Sequence, residues 1–347
     1  MNRRWICGDV WMDILPSFNR VQLGLKIALL SDRFDVLVDA HFDGKTELTI
    51  WREITICEGI GPEPTLSVLI GGNYVELPLP DRPLPNKIRF HFLWIEYIDH
   101  SVIEFLRSNK QIWDRNGTDL LIRIESDTNV IMPIWDVLAR EIWPIFATNI
   151  RQLAINGGDH LDNLRRHISP TILNDLDHLN SIDSYYLCPD VIADDGPNAT
   201  AGQVLSKWLH TPSKNGQPKR LHCHDYRGQP EWLNNLKEAF LRAISSVSYI
   251  IRIDRVKTMP TVEPFESVNE RTKEKLTLEK VTRSAVYWLL KRCPISEKAA
   301  TIQWKNNEKL DGKLNNVTFN LWRGNHSIGP LSPPTDEEAD QSNQNVV

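Results

Sequence analysis

The chain has 347 residues, 41% of them apolar and 24% charged, with a formal net charge of -5. That balance excludes a largely disordered protein, and no stretch reaches the roughly twenty consecutive apolar residues that a membrane-spanning helix needs. A mild acidic excess argues against nucleic acid as the main partner, because phosphate neutralisation calls for a clustered basic face; the short run Lys214 to Arg220, which holds Gly and Pro, reads as a solvated loop.

Apolar residues crowd the opening segment, Ile6 to Val38. Val10, Ile14 and Phe18 stand four apart with Trp11 and Leu15 beside them, which on a helix makes one apolar stripe flanked by Asp9, Asp13 and Ser17. Asp9 suits the positive end of that helix, and Pro16 to Arg20 breaks it. Leu23, Ile27, Leu30, Phe34, Leu37 and Val38 then recur at three- and four-residue steps, with Ser31-Asp32 as a cap or turn between two more short helices. The spacing predicts a compact three-helix unit. A unit so small exposes too much surface to bury its own apolar faces, so part of the stripe is expected to dock on a partner. The plain alternative is a helical subdomain packed on the rest of the chain.

This segment resembles an F-box, the motif that clips a substrate receptor onto the adaptor subunit of SCF-type cullin-RING ubiquitin ligases. Ile6 stands where the family usually has its opening Leu; Val10, Ile14, Leu15 and Phe18 fill the first-helix apolar positions, and Leu23, Leu30, Arg33, Phe34 and Leu37 fit the later ones. Two features depart from the pattern: Cys7 replaces the usual early Pro, and the stretch from Leu23 to Leu30 fits best with one extra residue near Gly24. A wider, looser likeness to the F-box proteins numerous in plant-parasitic nematodes runs through Asp39, His41, Phe42, Thr49, Ile50, Trp51 and KWLHTP at Lys207 to Pro212. The resemblance implies adaptor binding through Val10, Ile14, Leu15, Phe18, Leu23, Leu30, Phe34 and Leu37.

Downstream the period changes. Leu48, Ile50, Ile54 and Ile56 alternate with polar neighbours, as in a strand, and Val68 to Leu77 reads as a hairpin turning at Gly71-Gly72-Asn73. Four prolines between Pro78 and Pro85 mark a connector. From Ile88, strands and helices alternate: a strand to Ile98, a helix opened by Ser101 with Glu104 as a capping box, then the strand Leu120 to Ile124. A helix near Pro133 to Ala147 leads to the strand Ile150 to Ile155, and a helix over Leu161 to Leu179, interrupted at Pro170, leads to Ser184 to Leu187. Ala199 to His210 leads to Lys219 to Cys223, and Trp232 to Ile244 leads to Tyr249 to Ile253. Strands at such regular intervals fit an irregular array of leucine-rich-repeat type, although no LxxLxLxxN ladder is legible. After Glu263, a hairpin around Asn269 to Lys273 and strands at Tyr287 to Cys293, Thr301 to Trp304 and Val317 to Trp322 are expected to cap the array.

Catalytic signatures are absent from the sequence: it has no nucleophile elbow, phosphate loop, HExxH or dinucleotide fingerprint. His222-Cys223-His224 is the best metal candidate, but strand alternation turns Cys223 inward and away from both histidines, so no metal site is assigned. His160 with Asp159 and Asp162, and His178 with Asp175 and Asp177, read as solvated helix faces. The five cysteines are scattered and odd in number, which fits a reducing compartment, cytoplasmic or nuclear. Most of the Trp stock is expected in the core, with an exposed aromatic pair marking a recognition face. Arg151 and Gln152, Arg220 and His222, and Arg252 with Asp254 fall on successive strands and form the candidate substrate-reading face, with solvated strand positions as the plain alternative.

The expected fold is therefore α/β: an F-box at 4–45, a β-hairpin connector at 46–87, a repeat-like α/β array at 88–256, a β-rich cap at 257–326 and a disordered acidic tail at 327–347. The expected function is the non-catalytic substrate-recognition subunit of an SCF-type ubiquitin ligase, with no cofactor and no nucleic-acid or membrane partner. Its partners would be the adaptor subunit, through it the cullin and RING subunits, and an unknown protein substrate. The alternative is an α/β enzyme or non-ligase scaffold whose N-terminal helices are structural.

Overall fold

The structure, a computed structural model, describes residues 6–41, 48–59, 61, 63–70, 73–85, 88–124, 131–214, 216–224, 231–254, 263–282, 287–296, 314–321 and 328–332. It is a mixed α/β protein in two compact units, one of 1–116, 123–134 and 315–347 and the other of 117–122 and 135–314. No helix among the described residues is long and apolar enough to cross a membrane.

The first unit opens with three helical segments. Helix α1 (Gly8–Ile14) carries Asp9 in its first turn and runs into a 3-10 turn, Leu15–Ser17, with Pro16 at its start. Helix α2 (Arg20–Gln22) is capped by Asn19, whose side chain accepts from the Gln22 amide at 2.9 Å while Gln22 reaches back to the Asn19 amide. It continues through a π turn, Leu23–Ile27, and a 3-10 turn, Ala28–Leu30. A π turn holds one residue more than an α turn, and this one contains Gly24. Helix α3 (Asp32–His41) follows.

Strands β1 (Leu48–Cys57), β2 (Thr65–Ile70) and β3 (Asn73–Pro78) form an antiparallel meander, and β4 (Ile88–Ile95) lies parallel to β1. Gly71 and Gly72 of the expected hairpin turn lie outside the described residues. The boundary expected at 87/88 falls inside this unit, because β1 and β4 are neighbours in one sheet. Helix α4 (His100–Ser108) is capped by Asp99, which accepts from the Val102 amide at 2.8 Å; the cap expected at Ser101 is thus two residues too late. Helix α5 (Lys110–Asn116) packs Trp113 against Phe90, ring centroids 5.6 Å apart.

The strand Asn315–Leu321, expected in the C-terminal cap, instead returns to pair in parallel with β4. Asn315 fixes the return: its Oδ1 accepts from the Phe90 amide at 3.1 Å and its Nδ2 donates to the Ile112 carbonyl at 2.9 Å. Residues 328–332 also depart from the expected disordered tail, since Ile328 bridges Ile98 and the Gly329 amide donates to the Ile98 carbonyl at 2.8 Å. Residues 333–347 and the expected strand Thr301 to Trp304 lie outside the described residues.

In the second unit, β5 (Thr118–Ile124, of which Thr118 to Ile122 belong to this unit), β6 (Ile150–Asn156), β7 (Ser181–Tyr185), β8 (Lys219–His224) and β9 (Tyr249–Asp254) run parallel, each beside its predecessor in sequence. The crossovers are helical. Helix α6 (Ile131–Val137) continues through a π turn, Leu138–Ile142, into α7 (Trp143–Phe146); α8 (Gly158–His167) and α9 (Ile172–Asp175) flank Pro170; α10 (Ala201–His210) and α11 (Glu231–Arg242) complete the set. With strands in sequence order, right-handed crossovers place these helices on the same side of the sheet. Burial agrees: Leu120, Ile122, Leu153, Ile155, Ile182, Leu221, Cys223, Ile251 and Ile253 are buried, and the alternate positions are half-buried apart from the small Ala154 and Ser181.

An antiparallel meander extends the sheet beyond β9 in the order β12 (Tyr287–Pro294), β11 (Glu274–Val281), β10 (Phe265–Asn269). Its hairpin turns at the expected place, where Asn269 Oδ1 accepts from the Arg271 and Thr272 amides at 2.9 and 3.2 Å. On the helix side of this sheet, the buried Arg292 donates to Glu274 Oε2 at 2.7 and 3.0 Å.

Candidate functional site

Two surfaces hold the residues that the sequence singles out. In the N-terminal helices, Leu15 and Leu23 are 0% and 2% exposed, so they serve as core and are not presented to a partner. That corrects their expected contact role, although both still set the helices in place. Ile14, Phe18, Phe34 and Leu37 are half-buried. Val10 and Leu30 are exposed at 47% and 64%, together with Ile6 and Val36. The helices are held by the edge-on contact of Trp11 with Phe34 and by the Arg33 guanidinium, which donates to the Ile6 carbonyl.

On the face of the second unit's strands away from its helices, strand register builds a polar cluster at the carboxyl ends of three adjacent parallel strands, β7, β8 and β9. Asp183 of β7 stands opposite His222 of β8, which stands opposite Arg252 of β9; one row on, Tyr185 stands opposite His224. Asp254 closes β9. His222 lies between two carboxylates: Nε2 is 2.6 Å from Asp254 Oδ2 and Nδ1 is 3.5 Å from Asp183 Oδ1. Gln152 of β6 donates to the other Asp183 oxygen at 3.0 Å, and Arg252 donates to Asp254 at 2.9 Å while its guanidinium lies 4.3 Å from the Tyr287 ring centroid. Tyr185 stacks on His224 with centroids 4.4 Å apart.

Burial alone would lower the His222 pKa, but the neighbouring Asp183 and Asp254 carboxylates outweigh that and raise it. Burial and the neighbouring His222 lower that of His224. For Asp254 burial acts upward, yet the bonds from Arg252 and His222 hold its pKa below the usual carboxylate range. The Asp183, His222 and His224 side chains are 27%, 22% and 24% exposed, which leaves them reachable from solvent.

Of the expected substrate-reading residues, His222, Arg252, Gln152 and Asp254 come together in this cluster. Arg220 lies one row away, opposite Ser181 and Ile250, and Arg151 sits in a bulge where β5 and β6 shift register. There it passes Gly117, whose φ of 75° and missing Cβ leave it room; an added Cβ would lie 2.4 Å from Arg151 Cδ. Asp183, Tyr185 and His224 complete the cluster and were not expected in it. Cys223 turns inward as the alternation predicts, and its hydrogen bond with Cys188 and its burial push its thiol pKa up. On this face Tyr185 stacks on His224 and Tyr287 lies against the Arg252 guanidinium, while Trp135 and Trp208 are buried. No family model, curated protein or solved structure matches the chain.

Proposed function

We propose that this protein is the substrate-recognition subunit of an SCF-type cullin-RING ubiquitin ligase. The N-terminal helices act as its F-box and the open face of the second unit, a repeat-like array, reads a protein substrate. The observation that carries the reading is the exposure of Val10 and Leu30, together with Ile6 and Val36, on a segment with the F-box apolar pattern. Large apolar side chains left in water on a short helical unit cost free energy unless a partner covers them. The π turn at Leu23–Ile27 supports the reading too, because it absorbs the one residue by which the segment exceeds the pattern. Such a subunit performs no chemistry; it raises the effective concentration of acceptor lysines near the conjugating enzyme. A cytoplasmic or nuclear location follows from that role.

The His-carboxylate cluster is the observation that favours the second reading, an α/β enzyme whose N-terminal helices are structural, since carboxyl ends of parallel strands are where such folds place their chemistry. Co-expression with the adaptor subunit separates the two. One species containing both chains in gel filtration is expected; a wild-type chain that elutes alone overturns the ligase reading.

A further inference from the structure

Three groups on the open face of the second unit have the chemistry of metal ligands and converge: one ligand atom each from Asp183, His222 and His224 lies within 4.8 Å of the others. The 3.5 Å between Asp183 Oδ1 and His222 Nδ1 is long for a hydrogen bond but close to the edge of a zinc tetrahedron, about 3.4 Å for bonds of about 2.0 to 2.2 Å. The surrounding contacts are those that orient ligands. His222 Nε2 faces Asp254 Oδ2 at 2.6 Å, the arrangement that fixes the ring and leaves Nδ1 for an ion. Gln152 holds Asp183 Oδ2 at 3.0 Å, leaving Oδ1 facing the histidines. Arg252 in turn holds Asp254, and Tyr185 stacks on His224.

We propose that Asp183, His222 and His224 form a three-ligand site for a borderline divalent transition-metal ion such as zinc, oriented by Gln152 and Asp254 and with a coordination position left open. Two imidazoles and one carboxylate suit such an ion better than magnesium or calcium, which take oxygen ligands. The open position takes water or a donor side chain from a protein bound to this face. The inference rests on this cluster alone and stands whether or not the N-terminal helices dock on an adaptor.

The test is titration of the full chain with zinc and with cobalt, read by calorimetry and by visible absorption. One cobalt ion per chain is expected, with ligand-field bands and no thiolate charge-transfer band. Asp183→Asn and His224→Asn, checked for folding by circular dichroism, should each weaken binding more than about 100-fold, and Asp254→Asn by about 10- to 100-fold. Absence of binding to the wild type, a thiolate band, or equal affinity in folded Asp183→Asn and His224→Asn overturns the proposal. Should one variant fail to fold, the other decides.

Discussion

The Trp11 and Phe34 rings meet edge-on with centroids 4.8 Å apart, joining α1 to α3 across the segment that carries the exposed apolar residues. Aromatic pairs in this geometry contribute about 0.5 to 1.5 kcal/mol beyond the area they bury. Phe34→Ala should therefore loosen residues 8–41 by about 2 kcal/mol. Hydrogen exchange localised to these helices measures it, and the amides of β6 to β9 should be unaffected.

The buried Arg292-Glu274 pair predicts an asymmetry between breaking and replacing it. Ser246 donates to Glu274 Oε1 at 2.8 Å, and Arg292 also donates to the Ser245 carbonyl at 2.8 Å, so the charges are well satisfied where they lie. Glu274→Ala leaves a guanidinium buried without its counter-ion and should cost about 3 to 5 kcal/mol; Glu274→Leu with Arg292→Met should recover most of it. Chemical denaturation of the three proteins checks this.

Lys219 predicts a rise in stability at alkaline pH. Its ammonium is buried, donates to the Trp208 carbonyl and lies 4.8 Å from the Trp208 ring centroid; burial lowers its pKa from 10.5 to about 8. Below pH 8 both folded and unfolded chains carry the proton. Between about 8 and 10.5 only the unfolded chain keeps it, so the unfolded state binds more protons and stability rises with pH, by about 3 kcal/mol in all. Above that window the rise ends. Lys219→Met should remove this increment, seen as the difference between the two proteins' denaturation midpoints across the window.

Two expectations meet at Lys219. By composition it ends a solvated loop, by periodicity it opens a strand, and the strand holds: Lys219 opens β8 and points to the helix side. Periodicity located β6, β8 and β9 to within a residue, since Leu153 and Ile155, Leu221 and Cys223, and Ile251 and Ile253 mark their inner faces. It misplaced β7, expected at Ser184 to Leu187 and found at Ser181–Tyr185, because Ser181, Asp183 and Ser184 have low strand propensity beside Tyr185, Tyr186 and Leu187. That slip left Asp183 outside the expected strand and so hid it from the cluster. Spacing recognised that His222 and His224 share a face, but it could not supply the carboxylate from the next strand. The return of Asn315–Leu321 to β4 depends on contacts across more than two hundred residues, which no local pattern encodes.

A binding titration of the purified chain with purified adaptor tests the proposal that an SCF adaptor covers the exposed residues of the N-terminal helices. Val10→Asp with Leu30→Asp is the informative variant, because both side chains are exposed and a charge there should leave the fold intact, whereas a charge at the buried Leu23 would unfold it. The wild type should bind, and the variant, unchanged in melting temperature, should bind at least about 100-fold more weakly. A wild type that does not bind, or a folded variant that binds equally well, contradicts the account.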